Sequence, residues 1–188
     1  MARHSLLTVA QAVNCLRGGK VIAYPTEAVF GLGCDPNSES AVRQLLSLKN
    51  RPATAGLILI ADSYERFEPF IAPVPAQLRE RAMLTWPGPV TWLFPRAENT
   101  PDWLAGKHDS IALRITDHAV CRELCSAFGG AIVSTSANPS TAEPARSAAR
   151  VEEYFGSYVC GTVAGALGGN ESPSEIRDLA SGVVIRKG

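Results

Sequence analysis

The sequence predicts an α/β fold: a single domain over residues 1–188, built on one twisted open sheet that is mixed rather than wholly parallel and is flanked by helices. Three observations predict it. Helix-like and strand-like segments alternate along the chain. No linker, repeat or low-complexity stretch divides it. With 188 residues, 46% of them hydrophobic, the chain has the size of one ordinary domain and enough apolar material for a core.

The elements follow in order. Thr8-Val-Ala-Gln11 reads as a capping box, opening a helix with an apolar stripe at Val9, Ala12, Val13 and Leu16. Gly18-Gly19 stops it. Val21–Tyr24 is a short buried strand ending at Pro25. A second helix spans about Ser38 to Lys49, with Val42, Leu45 and Leu46 inward, and Pro52 blocks its continuation. Leu57–Ile60 is a buried strand, and Asp62-Ser-Tyr-Glu65 is predicted to cap a following helix. Trp86-Pro-Gly-Pro89 is a rigid turn into the strand Val90–Phe94. Ile111–Ile115 is a strand, after which Asp117 is predicted to cap a helix through Leu124. Ala131–Val133 is a strand running into a polar loop, Ser134–Asn138. Tyr158–Val163 is a weaker strand, and Gly182–Arg186 pairs with Ser174–Asp178 as a hairpin. Ser172-x-x-Glu175 has capping-box spacing, but the strand-like run after it argues against a helix.

Charge and cysteine content exclude several function classes. Eighteen basic residues balance eighteen acidic ones, for a net charge of zero. That rules out nucleic-acid binding by bulk attraction and an acidic disordered tail. The amino-terminal Met1–Leu7 has no signal-like apolar core, and the aliphatic run Leu57–Ala61 is too short to span a bilayer. The expected compartment is the cytoplasm, with no membrane contact. Cys15, Cys34, Cys121, Cys125 and Cys160 form no CxxC pair, and Cys121 and Cys125 share one helical face. They are expected to be small apolar core residues in a reducing compartment. The three histidines are not spaced to complete a zinc site. His118 reads as structural, His108 lies in a loop, and His4 lies near the amino terminus. Asn170-Glu171-Ser172 matches the glycosylation tripeptide and, without a secretion signal, reads as chance.

Four constellations carry possible chemistry. Lys49-Asn50-Arg51-Pro52 puts two cations at a helix end, where they either grip a polyphosphate or complement the helix dipole. Ser134-Thr-Ser-Ala-Asn138 follows a strand, where open sheets bind ligands, though an ordinary capping turn has the same composition. Arg114 lies inside the apolar strand Ile111–Ile115 and needs an anion, either a ligand or an internal carboxylate. Tyr24-Pro-Thr-Glu-Ala-Val-Phe-Gly-Leu-Gly33 bends after a strand, with Thr26 and Glu27 as its polar groups. There the small residues permit close backbone approach, or the segment is a strand-to-helix turn capped by Glu27. No nucleophile elbow, Walker A sequence or GxGxxG is present.

These pieces, in this order, resemble the YrdC/Sua5 family of threonylcarbamoyl-AMP synthases in its short bacterial form. The resemblance rests on Pro25–Gly33, the KxR motif at Lys49 and Arg51, Trp86–Thr91, Leu113–His118, the SxN motif at Ser136 and Asn138, and Pro173–Asp178. It covers essentially the whole chain. It implies a YrdC-like fold around a large basic cavity. It implies the conversion of L-threonine, bicarbonate and ATP into L-threonylcarbamoyl-adenylate and pyrophosphate, with Mg²⁺ carried by ATP and no metal site of the protein's own. The product would serve the t6A modification at position 37 of tRNAs reading codons that begin with A. Implied partners are the other proteins of that pathway, with a possible direct tRNA contact. The resemblance places Lys49, Arg51, Ser136, Asn138 and Arg186 at ATP, with Lys49 and Arg51 catalytic. It places Thr26, Arg114, Ser134 and Ser174 at threonine. A non-catalytic RNA-binding or ribosome-maturation factor is the alternative.

The chain departs from the family pattern in places. Glu175 and Arg177 interrupt the usual PSTIVD, Pro139-Ser140-Thr141 replaces the usual Ser-Gly after Asn138, and Phe30 stands where tyrosine is common. The chain ends at Gly188, so the extra carboxyl-terminal domain of the longer family form is expected to be absent. The lid function of the linker in that form is then expected to be missing or supplied by partners.

Overall fold

The structure, a computed structural model, describes residues 6–188; His4 and most of the segment read for targeting lie outside them. Ten strands form one mixed sheet: β1 (Leu6–Leu7), β2 (Ile22–Pro25), β3 (Phe30–Gly33), β4 (Ile58–Ala61), β5 (Val90–Pro95), β6 (Ser110–Ile115), β7 (Ile132–Ser136), β8 (Thr162–Val163), β9 (Glu175–Asp178) and β10 (Val184–Arg186). Their spatial order is β1-β8-β2-β3-β7-β4-β6-β5-β9-β10. β4 runs parallel to β6, and β5 to β9, while β2 with β3, β7 with β3 and β4, and β5 with β6 are antiparallel.

Strand alternation divides the core between the two faces of the sheet. Ile22, Tyr24, Ile60 and Ile132 pack on one side with the helices α1 (Val9–Arg17) and α5 (Ala119–Phe128). Val21, Ala23, Leu59, Ala61 and Val133 pack on the other with α2 (Glu39–Lys49) and the aromatic group Phe67, Trp86, Trp92 and Phe94. Both faces are covered, which is why β2 and β4 read as continuous apolar runs rather than alternating ones.

Helix starts are decided locally. Thr8 closes a complete capping box with Gln11, and Ser38 caps α2 by accepting from the Ala41 amide at 3.4 Å. α2 ends at Asn50, left-handed at φ 49°, a conformation asparagine tolerates better than most residues. Three short helices, α3 (Ala76–Met83), α4 (Asp102–Ala105) and α6 (Ala148–Phe155), lie in segments for which the sequence predicted no element.

Several expectations need correction. Asp62 caps no helix: it accepts from Arg66 one turn on at 3.3 Å, and the 3₁₀ helix Tyr64–Phe70 starts from Ser63. The N-cap position of α5 is held by His118, whose side chain makes no capping bond, and not by Asp117, whose amide donates to Glu27. Ser134–Ser136 belong to β7, because pairing on both flanks (Ser134 with Ile58, Ser136 with Gly31) extends the strand. Tyr24–Gly33 is a β-hairpin with a four-residue turn, not a strand-to-helix bend. Only Thr162–Val163 of the 158–163 segment is strand. The close approach expected at Gly33 does occur: a Cβ there would meet the Val133 carbonyl at 2.5 Å and the buried Tyr24 ring at 2.7 Å.

The cysteine reading holds for three residues and fails for two. Cys34, Cys121 and Cys125 are free and buried, and burial drives the Cys121 thiol up to about 12. Cys15 and Cys160, 145 positions apart, are joined in a disulfide. The fold causes this by setting β8, which follows Cys160, beside β2, which follows the turn after α1. Under oxidising conditions, Cys15→Ser should lower stability by about 2–4 kcal/mol, the usual worth of a long-loop crosslink. With reductant present, urea unfolding of the variant and the parent should coincide.

Candidate active site

A cavity of about 410 Å³ is lined by the turn after β2, the starts of β3 and β4, and residues of β6 and β7. All nine residues singled out from the sequence line it: Thr26, Lys49, Arg51, Arg114, Ser134, Ser136, Asn138, Ser174 and Arg186. The sheet register explains the meeting. On β6 Arg114 pairs with Ile60 of β4, on β7 Ser134 pairs with Ile58 of β4, and Ser136 pairs with Gly31 of β3, so adjacent strands of the sheet place these residues around one hollow.

Lys49, in the last turn of α2, is only 4% exposed. Its ammonium donates to the carbonyls of Ser136 at 2.5 Å and Asn138 at 2.8 Å, and to Asn138 Oδ1 at 3.4 Å. Asn138 in turn donates through Nδ2 to the Pro139 and Ala142 carbonyls. Ser140, which stands in the departing Pro-Ser-Thr segment, donates back to the Lys49 carbonyl and to that of Asn50 at 3.1 Å. The KxR helix end and the SxN strand end are thus one cross-bonded unit. Burial, helped by nearby Arg51, lowers the Lys49 pKa to about 8.

Arg51 donates to the Ala55 and Gly56 carbonyls, while its Nε is buried without a partner. Arg186 donates to the Ser174 carbonyl at 2.9 Å. Burial and the Arg51 charge lower its pKa. Ser174 Oγ meets Thr91 Oγ1 at 2.8 Å, which explains how that side chain is oriented despite the altered motif around it. Thr26 donates to the Val29 carbonyl at 2.7 Å.

Both readings of Arg114 have a basis in the structure. It faces the cavity, and it also has an internal anion, Glu27, whose Oε1 accepts from Arg114 Nη1, from Thr116 Oγ1 at 2.8 Å and from the Asp117 amide at 3.3 Å. Burial works against a charged Glu27, but the Arg114 guanidinium and the Thr116 hydroxyl outweigh it and hold the carboxyl below its ordinary range. The sequence showed Glu27 only as a polar residue at a bend. Its role as counter-ion depends on a strand 87 residues away. His118 is structural as read, its Nε2 meeting the Ala166 carbonyl at 2.9 Å.

Glu27 is the only acid among the cavity-lining residues, and it is committed to Arg114. Lys49, Arg51 and Arg186 therefore face one another across the cavity with no carboxylate partner among the described residues. Cations held this way bind anionic ligands. No group of three or more His, Cys, Asp or Glu among the described residues could hold a metal ion.

Fold and cavity together define an α/β protein whose mixed sheet carries one cation-lined cavity among the described residues. The chain belongs to the Sua5/YciO/YrdC family, whose model, described as telomere recombination, matches residues 14–188. It is 53% identical over 178 residues to a threonylcarbamoyl-AMP synthase of Stutzerimonas stutzeri, covering 95% of this chain and 96% of that one. It is 51% identical over 179 residues to the protein of the same name from Halorhodospira halophila, covering 95% and 94%. Among solved structures, P. abyssi Sua5 complexed with L-threonine superposes with a TM-score of 0.85 at 31% identity, over 90% of this chain and 50% of that one. The chain thus spans about half the length of that Sua5. E. coli YciO shares the fold, with a TM-score of 0.81 at 22% identity over 96% of this chain and 88% of that one.

The low Lys49 pKa makes anion binding pH-dependent. An anion favours the ammonium form, which the free protein loses as pH rises through about 8. Affinity for inorganic pyrophosphate should therefore fall above that pH, by up to about tenfold per unit. Lys49→Arg, which keeps its charge, should remove this part of the fall in calorimetric titrations.

Proposed function

We propose that this protein is a threonylcarbamoyl-AMP synthase, making L-threonylcarbamoyl-adenylate and pyrophosphate from L-threonine, bicarbonate and ATP. The observation that carries the reading is the convergence of Lys49, Arg51 and Arg186, unpaired with any carboxylate, beside the Arg114–Glu27 pair in one cavity. Relatives about half identical over nearly the whole chain carry that enzyme name, and a Sua5 of the same fold has been solved with L-threonine, which supports threonine as substrate.

The chemistry suits such a cavity. The threonine amine and bicarbonate condense with loss of water to an N-carboxylate, which attacks the α-phosphate of ATP and expels pyrophosphate. Every reactant is anionic or becomes so, which makes charge neutralisation and alignment the main catalytic tasks. In this reading Arg51 and Arg186 screen the triphosphate. Lys49 contributes charge while bonding the Ser136–Asn138 segment in place. Ser136 and Asn138 line the nucleotide portion. Arg114 holds the threonine carboxylate, with Thr26, Ser134 and Ser174 around the amino acid. A protein nucleophile is not needed.

Magnesium fits this site as part of the substrate. A hard dication takes oxygen ligands, and the one lining carboxylate, Glu27, is already engaged by Arg114 and Thr116. The phosphate oxygens of ATP and water would supply its ligands. We place the reaction in the cytoplasm, serving tRNA modification through an adenylate passed to other proteins. Among the described residues no helix is long and apolar enough to cross a membrane.

Purified protein should release pyrophosphate only when threonine, bicarbonate and ATP are all present, and mass spectrometry should detect the adenylate. Binding of tRNA with no adenylate formed would favour the RNA-binding alternative. Lys49→Ala and Arg51→Ala should each cost about 2–4 kcal/mol of transition-state stabilisation, the range for lost electrostatic groups. Rates within twofold of the parent would remove them from the mechanism. Arg114→Ala should mainly raise the threonine concentration needed for half-maximal rate.

A further inference from the structure

The cavity brings four cations to its ligands and a single carboxylate. That carboxylate is placed with care. Glu27 and Arg114 have side chains only 12% and 8% exposed, and three donors from β6 and the turn after it converge on Glu27 Oε1. Arg114 Nε is buried with no partner, so the guanidinium retains an unused donor.

Glu27 creates a difficulty for a simple carboxylate ligand. An anion on Arg114 would lie beside a fixed negative charge, and like charges brought together in a buried site repel strongly. The repulsion is offset if the ligand brings a positive charge to the same place. An α-amino acid does so, because its ammonium and carboxylate hang from one carbon. A carboxylate on Arg114 puts the ammonium within reach of the group already touching that guanidinium.

We propose that Glu27 holds the α-ammonium of the amino-acid substrate, so that the site selects zwitterionic amino acids and rejects matching acids that lack the amine. The assignment rests on the reading of the cavity as a threonine site and adds a residue to it. Glu27 then has two tasks, orienting Arg114 in the empty site and fixing the reacting nitrogen in the filled one.

Calorimetry with L-threonine and with 3-hydroxybutyrate, which keeps the carboxylate and hydroxyl but lacks the amine, tests this. The parent should prefer threonine by about tenfold or more, the usual worth of one charge-assisted contact. Glu27→Gln should weaken threonine by a similar factor and leave 3-hydroxybutyrate unchanged or tighter, closing the gap. Equal weakening of both ligands would mean that Glu27 acts only through Arg114, and would overturn the proposal. Equal binding of both by the parent would overturn it with no variant needed, which covers the case in which Glu27→Gln does not fold. If the parent binds neither ligand, it is the threonine reading itself that fails.

Discussion

The site depends on the bonds that Lys49 makes to the Ser136–Asn138 segment. An ammonium in the last turn of α2 satisfies two carbonyls and an amide oxygen at the end of β7. Both carbonyls are close to the place where the strand stops pairing; that of Ser136 also accepts from the Asn138 amide at 3.0 Å. A buried polar group without a partner costs about 1–3 kcal/mol, so the helix end and the strand end stabilise each other. Ser140 closes the loop in the other direction. This cross-bonding explains how the segment keeps a defined shape even though Pro139-Ser140-Thr141 replaces the usual residues.

Charge is the second constraint. The chain is neutral as a whole, yet its cavity is strongly basic. The two facts are compatible because field strength inside a hollow depends on the charges lining it and on the low-dielectric walls, not on the sum over the surface. The basic residues lie on α2, β6 and β10 and in the turn after α2. Acids elsewhere in the chain balance them, since acidic and basic residues are equal in number. Neutrality excludes bulk attraction to polyanions and leaves binding of small anions in one place unaffected.

The sheet makes the convergence possible. Strands distant in sequence are neighbours in space: β7 lies between β3 and β4, and β9 pairs with β5. They bring polar residues to one cavity while their apolar residues divide between the two faces. The β9–β10 hairpin adds Arg186 and Ser174 from the far side of the cavity. The same ordering draws Cys160 to Cys15.

Much was legible in the sequence because its causes are local. The capping box at Thr8, the stop at Pro52, the apolar runs of β2 and β4 and the terminal hairpin follow from neighbours a few residues apart. The ordered motifs identified the family, and with it nine of the residues that line the cavity, though not the part played by Glu27. What failed depended on distant partners. Ser134–Ser136 became strand because β3 and β4 flank it. Cys15 found Cys160 through the β2–β8 pairing. The amide of Asp117, read as a cap, instead donates to Glu27, ninety residues away. By itself the sequence determined the locally signalled helices and apolar strands, how the chain buries a core, and which polar residues are too costly to bury without purpose. Only the tertiary structure decided what each of those polar residues faces. It gave Arg114 the carboxylate of Glu27, gave Lys49 the carbonyls of β7, and left Arg51 and Arg186 without an acid. Pairing between charges far apart in the chain is set by strand order and register, which no local pattern encodes.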